Sequence, residues 1–218
     1  ERALDIRRNN LPPEHPDVLR SMNNLAALYK AQGDAARAEP IYKQILEIRE
    51  DTLGPNHPDT FVSLSNLASL YESNGEYKRA EQIFTYILEK KVEALGRDHP
   101  DIAVSLNNLG RLYHAQGMLA LAEPIYQRAL QITTNEVGED RPEAAWIMNN
   151  LGSILQTDGR YGEAETMHQR ALAIWKDTYG PDHPYTLTSM KNLAELYRAT
   201  GRADEAAALN ERIASSER

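Results

Sequence analysis

Residues 57–98 read HPDTFVSLSNLASLYESNGEYKRAEQIFTYILEKKVEALGRD, and the same design stands on either side of them. Asn66-Leu67 recurs as Asn24-Leu25, Asn108-Leu109, Asn150-Leu151 and Asn192-Leu193, always at a step of 42 residues. Gly75 recurs as Gly33, Gly117, Gly159 and Gly201, and Gly96 as Gly54, Gly138 and Gly180. His57-Pro58 recurs as His15-Pro16, His99-Pro100 and His183-Pro184, with Arg141-Pro142 in the fourth place. A fixed period of this size is the signature of a solenoid, a stack of small units in which each packs on its neighbours. Such a stack exposes a long surface rather than enclosing a reaction site.

Within the quoted unit, Pro58 suits the first position of a helix, where its missing N–H would have had no partner. Asp59 places negative charge near the positive end of the helix dipole. Leu64, Leu67, Ala68 and Tyr71 then recur at helical spacing, and Gly75 ends this helix A. A second helix, B, is expected from Tyr77, with Ala80, Ile83, Phe84, Ile87 and Leu88 on one face. Small residues keep one position of each helix: Ala26, Ala68, Gly110, Gly152 and Ala194 on A, and Ala38, Ala80, Ala122, Ala164 and Ala206 on B. They let the two helices approach. The expected fold is all-α, a stack of helix-turn-helix hairpins over 15–56, 57–98, 99–140, 141–182 and 183–218. Residues 1–14 are in phase with the end of a preceding helix B, which reads as part of a longer array. Pro40 and Pro124 fall inside helix B, where a proline removes a backbone bond and is expected to bend it.

A net charge of −8 argues against nonspecific nucleic-acid binding, which needs a basic face. No apolar run is long enough to span a bilayer. The chain has no cysteine, which excludes disulfides and thiolate chemistry and suits a reducing, cytoplasmic compartment. Hydrophobic and charged contents of 41% and 26% are those of an ordinary soluble protein.

Leu25-Ala26-Ala27-Leu28-Tyr29, a glycine four residues after the tyrosine and an alanine in helix B resemble the tetratricopeptide repeat. The longer unit, with H-P-D, N-N-L-A-x-L-Y, G-x-Y-x-x-A-E and a terminal L-G-x-D/N, resembles the kinesin light chain subclass. The resemblance implies a right-handed superhelix whose concave wall is lined by the A helices. It also implies a groove for extended peptides read by asparagines and basic residues of helix A. The matching positions are Asn23, Asn24, Asn66, Asn107, Asn108, Asn149, Asn150 and Asn192, while Ser65 and Lys191 replace the first asparagine of the pair.

Helical periodicity gives the same face independently. Met22, Leu25, Ala26 and Tyr29 cluster in one direction, and Arg20, Asn23, Asn24, Ala27 and Lys30 point roughly opposite. An amide offers both donors and acceptors, so a column of asparagines can hold a peptide backbone of any sequence. The alternative is that these amides bond the neighbouring A helix and set the geometry of the stack. Flanking positions add Arg20, Lys30, Arg111, Lys191 and Arg198 against Glu72 and Glu195, a small local basic excess that favours acidic ligands slightly. His114 is a further groove candidate. Trp146 is expected either to anchor a ligand or to pack against the next A helix.

The histidines before proline lie a full unit apart, too far to share a metal bound at about 2.1 Å, and are expected to open helices. His168 stands where Tyr42, Phe84 and Tyr126 stand and is expected to be a packed ring. No H-E-x-x-H and no phosphate loop occurs, so no metal, cofactor or catalytic residue is assigned. The favoured function is a non-enzymatic scaffold for a peptide or protein segment. The alternatives are a sensor array within a larger signalling ATPase and an end-to-end self-assembly module.

Overall fold

The computed structural model describes residues 2–216; Glu1, Glu217 and Arg218, at the extremes of the segments 1–14 and 183–218, lie outside the described residues. The chain forms two compact units that part between Ala94 and Leu95. The first holds α1 (Arg2–Asn10), α2 (Pro16–Ala31), α3 (Ala35–Leu53), α4 (Pro58–Ser73) and α5 (Tyr77–Leu95), the last residue of which falls at the border. The second holds α6 (Pro100–Ala115), α7 (Leu119–Val137), α8 (Pro142–Thr157), α9 (Tyr161–Tyr179), α10 (Pro184–Ala199) and α11 (Ala203–Ser216). Among the described residues there is no strand, so the fold is all-α, built of helical hairpins.

Each even-numbered helix spans 16 residues and starts on a proline. The preceding histidine caps it. His57 Nδ1 accepts from the Asp59 amide at 3.1 Å, and His15, His99 and His183 do the same at 3.1, 3.2 and 3.3 Å. One of the otherwise unpaired amides of the first turn is thereby satisfied. Arg141 caps α8 in extended conformation without a side-chain bond. The other end of α4 shows why glycine recurs. Gly75 has φ +77°, and around it the Glu76 amide reaches the Tyr71 carbonyl at 2.8 Å and the Gly75 amide reaches Glu72 at 3.0 Å. This Schellman arrangement needs the left-handed conformation that glycine adopts at little cost.

Pro40 and Pro124 do not interrupt α3 and α7, which run through them, and both prolines are exposed. On the solvent side, the backbone carbonyl left without its donor can bond water instead.

The two helices of a hairpin meet where small residues face rings. A Cβ built on Gly110 would lie 3.0 Å from the Tyr126 ring, and one on Gly152 only 2.9 Å from the His168 ring. Ala122, Tyr126, Ala164 and His168 are fully buried. In the second unit, Ala144, Ala145 and Met148 of α8 pack on Ala171, Ile174 and Trp175 of α9, with Tyr185 of α10 against them.

Polar ties link successive odd-numbered helices. Arg79 of α5 pairs with Glu39 of α3 and stacks on the Tyr71 ring at 3.8 Å, and the Tyr71 hydroxyl donates to Glu39 at 2.8 Å. Burial and the Glu39 carboxylate push the Tyr71 hydroxyl up to about 12. Arg202, immediately before α11, repeats the pattern on Glu165 of α9 and the Tyr197 ring. Arg160, the N-cap of α9, reaches Glu123 of α7. Exposed pairs of this kind contribute little stability, so their role is chiefly to hold register. Arg49 donates to Ser63 at 2.9 Å, and Arg7 of α1 makes the same contact with Ser21 one period earlier. The segment α1 therefore meets α2 much as α3 meets α4.

Gly152→Ala gains about 1 kcal/mol of helix propensity but forces a methyl into the His168 ring, an overpacking cost of about 1–3 kcal/mol. The expected net effect is a lower midpoint in urea unfolding. The control is Gly162→Ala, where a Cβ meets nothing within 4 Å, and it should be neutral or stabilising.

Candidate functional site

Two clefts repeat along the even-numbered helices, two periods apart. The first, of about 590 Å³, is lined by Arg20 and Asn23 of α2, Arg49 and Leu53 of α3, and Val62 and Asn66 of α4. The second, of about 300 Å³, is lined by Val104 and Asn107 of α6, Thr133 and Val137 of α7, and Trp146 of α8. These are equivalent positions. Each cleft lies where one A helix, the end of its B helix and the next A helix meet. Leu53, Val62, Val104, Val137 and Trp146 keep 44%, 51%, 59%, 40% and 41% of their surface exposed, so both clefts carry apolar side chains in contact with water.

Their charge differs. The first combines Arg20 and Arg49 with Glu14 and Asp59 and is close to balanced. Arg20 also pairs with Asp17 at 2.5 Å, and Arg49 donates to the Asp59 carbonyl at 2.7 Å. The second carries Asp101, Glu136 and Glu143 and no basic residue. Neither lining has the basic excess expected from the A-helix cations. Lys30 donates to Ser69 at 2.5 Å and Arg198 to Asn210 at 3.2 Å.

The asparagines are engaged with one another. Asn66 donates to Asn23 Oδ1 at 2.8 Å, Asn150 to Asn107 at 2.9 Å and Asn192 to Asn149 at 2.9 Å. The second amide of one repeat thus reaches the first amide of the repeat before it. Asn149 is buried, and its Oδ1 also accepts from Ser189 at 3.4 Å and from His168 Nδ1 at 3.1 Å. At Asn149 the alternative holds, that the amide bonds the neighbouring A helix, since three donors converge on one oxygen. Asn23, Asn66, Asn107, Asn108, Asn150 and Asn192 are half-buried, and only Asn24 is exposed. A paired amide still has spare capacity: Asn66 keeps its oxygen and a second N–H.

The structure brings Asn23 and Asn66 into the first cleft and Asn107 and Trp146 into the second. Arg111, His114 and Lys191 line neither. Arg111 is half-buried and Lys191 exposed. His114 is half-buried, and desolvation lowers its pKa. Trp146 packs against the next A helix, one of the two alternatives expected of it. Its ring meets Trp175 edge-on at 5.3 Å and Tyr185 of the next A helix at 4.6 Å, while its open side faces the cleft. His168 is a packed ring, as expected: it is fully buried, and desolvation pushes its pKa down to about 4. Among the described residues no cluster of His, Asp or Glu could hold a metal, and no helix is long and apolar enough to cross a membrane.

Two sequence profiles described as tetratricopeptide repeat match the chain, one over residues 87–135, 101–174 and 143–215 and the other over 18–59 and 60–101. The chain belongs to the tetratricopeptide repeat family. No curated protein sequence matches it. Among solved structures it is similar to BtubC (BKLC) from P. vanneervenii, with 26% identity and a TM-score of 0.74 over 99% of this chain and 87% of that one. It is also similar to the nearly identical TPR-like repeats of a protein described as a kinesin light chain from Podosopora anserina. There the identity is 28% and the TM-score 0.67, over 93% of this chain and 96% of that one. Pseudomonas aeruginosa pilF, at 19% identity and a TM-score of 0.58 over 91% of this chain and 76% of that one, shares the fold alone. The repeats here are therefore kinesin light chain-like tetratricopeptide repeats.

The sequence reading of this tetratricopeptide array confined the site to helix A. It missed the helix B contribution: Arg49, Thr52 and Leu53 in one cleft, Thr133, Glu136 and Val137 in the other. A signal existed, since Leu53 and Val137 are apolar residues directly before a turn glycine.

Asn149→Ala should cost about 1–3 kcal/mol, because it leaves the amides of Asn192 and the ring N–H of His168 without an acceptor. Asn24→Ala should fall within about 0.5 kcal/mol of the parent. Urea unfolding of both variants checks this. His168 predicts a pH dependence. Its folded pKa lies below the ordinary value, so its contribution is fully present above about pH 6.5 and is lost as pH falls towards 4. That lowering is worth about 3 kcal/mol. His168→Phe, the residue type at position 84, should flatten the slope of stability against pH between 6.5 and 4; an unchanged slope would place the titrating group elsewhere.

Proposed function

We propose that this chain is a non-enzymatic scaffold that binds an extended peptide or protein segment along the wall formed by its A helices. The carrying observation is the pair of equivalent clefts, each with water-exposed apolar side chains beside half-buried asparagines. Exposed apolar residues gathered in one recess mark interaction sites more than residues scattered singly do. Each cleft supplies a seat for an apolar side chain. The spare amide valences of Asn23 and Asn66 in one cleft, and of Asn107 in the other, supply partners for peptide backbone beside each seat. The tetratricopeptide repeat serves generally as a protein-interaction scaffold, which supports the same reading.

The test is a random dodecapeptide library displayed on phage and panned against the whole chain. Enriched peptides are expected to lose about tenfold or more in affinity with Val104→Glu or Val62→Glu, since each places a charge in an apolar seat. Bound peptide should slow hydrogen exchange in α2, α4, α6 and α8 more than on α3 and α7. Failure to enrich any peptide, or protection confined to the odd-numbered helices, would overturn the groove.

A further inference from the structure

The second cleft has a chemistry of its own. Its floor is Val104, Val137 and Trp146, all large apolar side chains with at least 40% of their surface exposed. Its rim is Asp101 at the start of α6, Glu136 near the end of α7 and Glu143 at the start of α8. The equivalent positions of the first cleft show how unusual this is. Arg20 stands where Val104 stands, and Arg49 stands where Thr133 stands. Losing both cations, with Glu136 where Thr52 stands, turns a balanced recess into an apolar one rimmed by Asp101, Glu136 and Glu143. Arg141, the nearest cation in sequence, donates to the Val137 carbonyl at 3.3 Å and is not part of the lining.

We infer that the cleft between α6 and α8 takes an apolar side chain of a partner segment that carries lysine or arginine next to it. This rests on the groove reading above and names the class of segment that the groove selects. The two helix N-termini at the cleft bring partial positive charges of about half a unit each, and the C-terminus of α7 brings a similar negative one. The full carboxylate charges of Glu136 and Glu143 by themselves outweigh them, so the recess is negative. An acidic flank would sit among like charges, whereas a basic flank would meet the rim while the neighbouring apolar side chain covers Val104 and the open side of Trp146. A cleft of about 300 Å³ is small enough for one or two side chains and too small for a folded element.

The library selection decides between outcomes, together with two charge variants and a fluorescence readout. Trp146 is half-exposed and Trp175 fully buried, so a ligand seated in the cleft should shift the Trp146 emission to shorter wavelength. Trp146→Phe should abolish that shift. Enriched peptides are expected to carry Lys or Arg within two positions of Leu, Ile, Phe or Met. Glu136→Lys with Glu143→Lys should weaken them about tenfold, by removing exposed charge attraction and adding repulsion. Glu136→Gln with Glu143→Gln should weaken them less, and added salt should weaken the parent but not the Gln variant. Glu211→Lys, at an exposed position of α11 outside both clefts, should leave the Trp146 shift unchanged. Peptides that protect the groove but lack basic residues, or that ignore the Glu136 and Glu143 changes, would overturn this inference and leave the groove standing. No enriched peptide, or binding away from the even-numbered helices, would remove both.

Discussion

A hairpin of this protein is only as tight as the contact between one small residue and one ring. Gly110 against Tyr126 and Gly152 against His168 bring the two backbones so close that a methyl group would strike the ring. Close-packed interiors transmit such a distance, because neighbouring side chains have no slack to absorb a change. The separation of α8 and α9 therefore governs where Met148 and Trp175 lie, and through Trp175 where Trp146 and Tyr185 stack. The cleft that Trp146 borders depends on that spacing.

His168 and Asn149 show how packing and hydrogen bonding serve one end. His168 takes a position held elsewhere by Tyr42, Phe84 and Tyr126, and a buried imidazole needs a partner for its N–H. Asn149 supplies the acceptor and uses the same oxygen to receive Asn192 from the next A helix. The hairpin interior and the contact between neighbouring repeats are joined at one atom. The amide pairs Asn23–Asn66 and Asn107–Asn150 make the inter-repeat half of that connection alone. Within each unit these amide pairs tie neighbouring A helices together, and Asn23, Asn66 and Asn107 also border the clefts.

Equivalent geometry does not mean equivalent chemistry. The period places a recess at two equivalent junctions, α2–α3–α4 and α6–α7–α8, but one position of the A helices carries Arg20, Val62, Val104 and Trp146 in turn. Arg20 and Arg49 give one recess mixed charge, and Val104, Thr133 and Trp146 give the other an apolar floor below an acidic rim. Repetition supplies the frame, and departures from it give each recess its own chemistry.

The all-α hairpin stack, the prolines that open the A helices, the capping histidines and the turn glycines could be read from the chain, because each reflects a local rule of backbone conformation repeated at one spacing. Gly110 and Gly152 were legible as small contact positions, and His168 as a ring, for the same reason. The asparagine column was legible as a feature, but its use was not. Whether Asn149 faces solvent or gathers three donors depends on residues 40 and 43 positions away, Ser189 and Asn192, and on the burial of His168. The clefts were legible only in part, since periodicity along one helix cannot show which end of another helix closes the recess. Local sequence determined the elements and their repetition; the side-chain distances set by packing decided which polar atoms were consumed and which surfaces were left open.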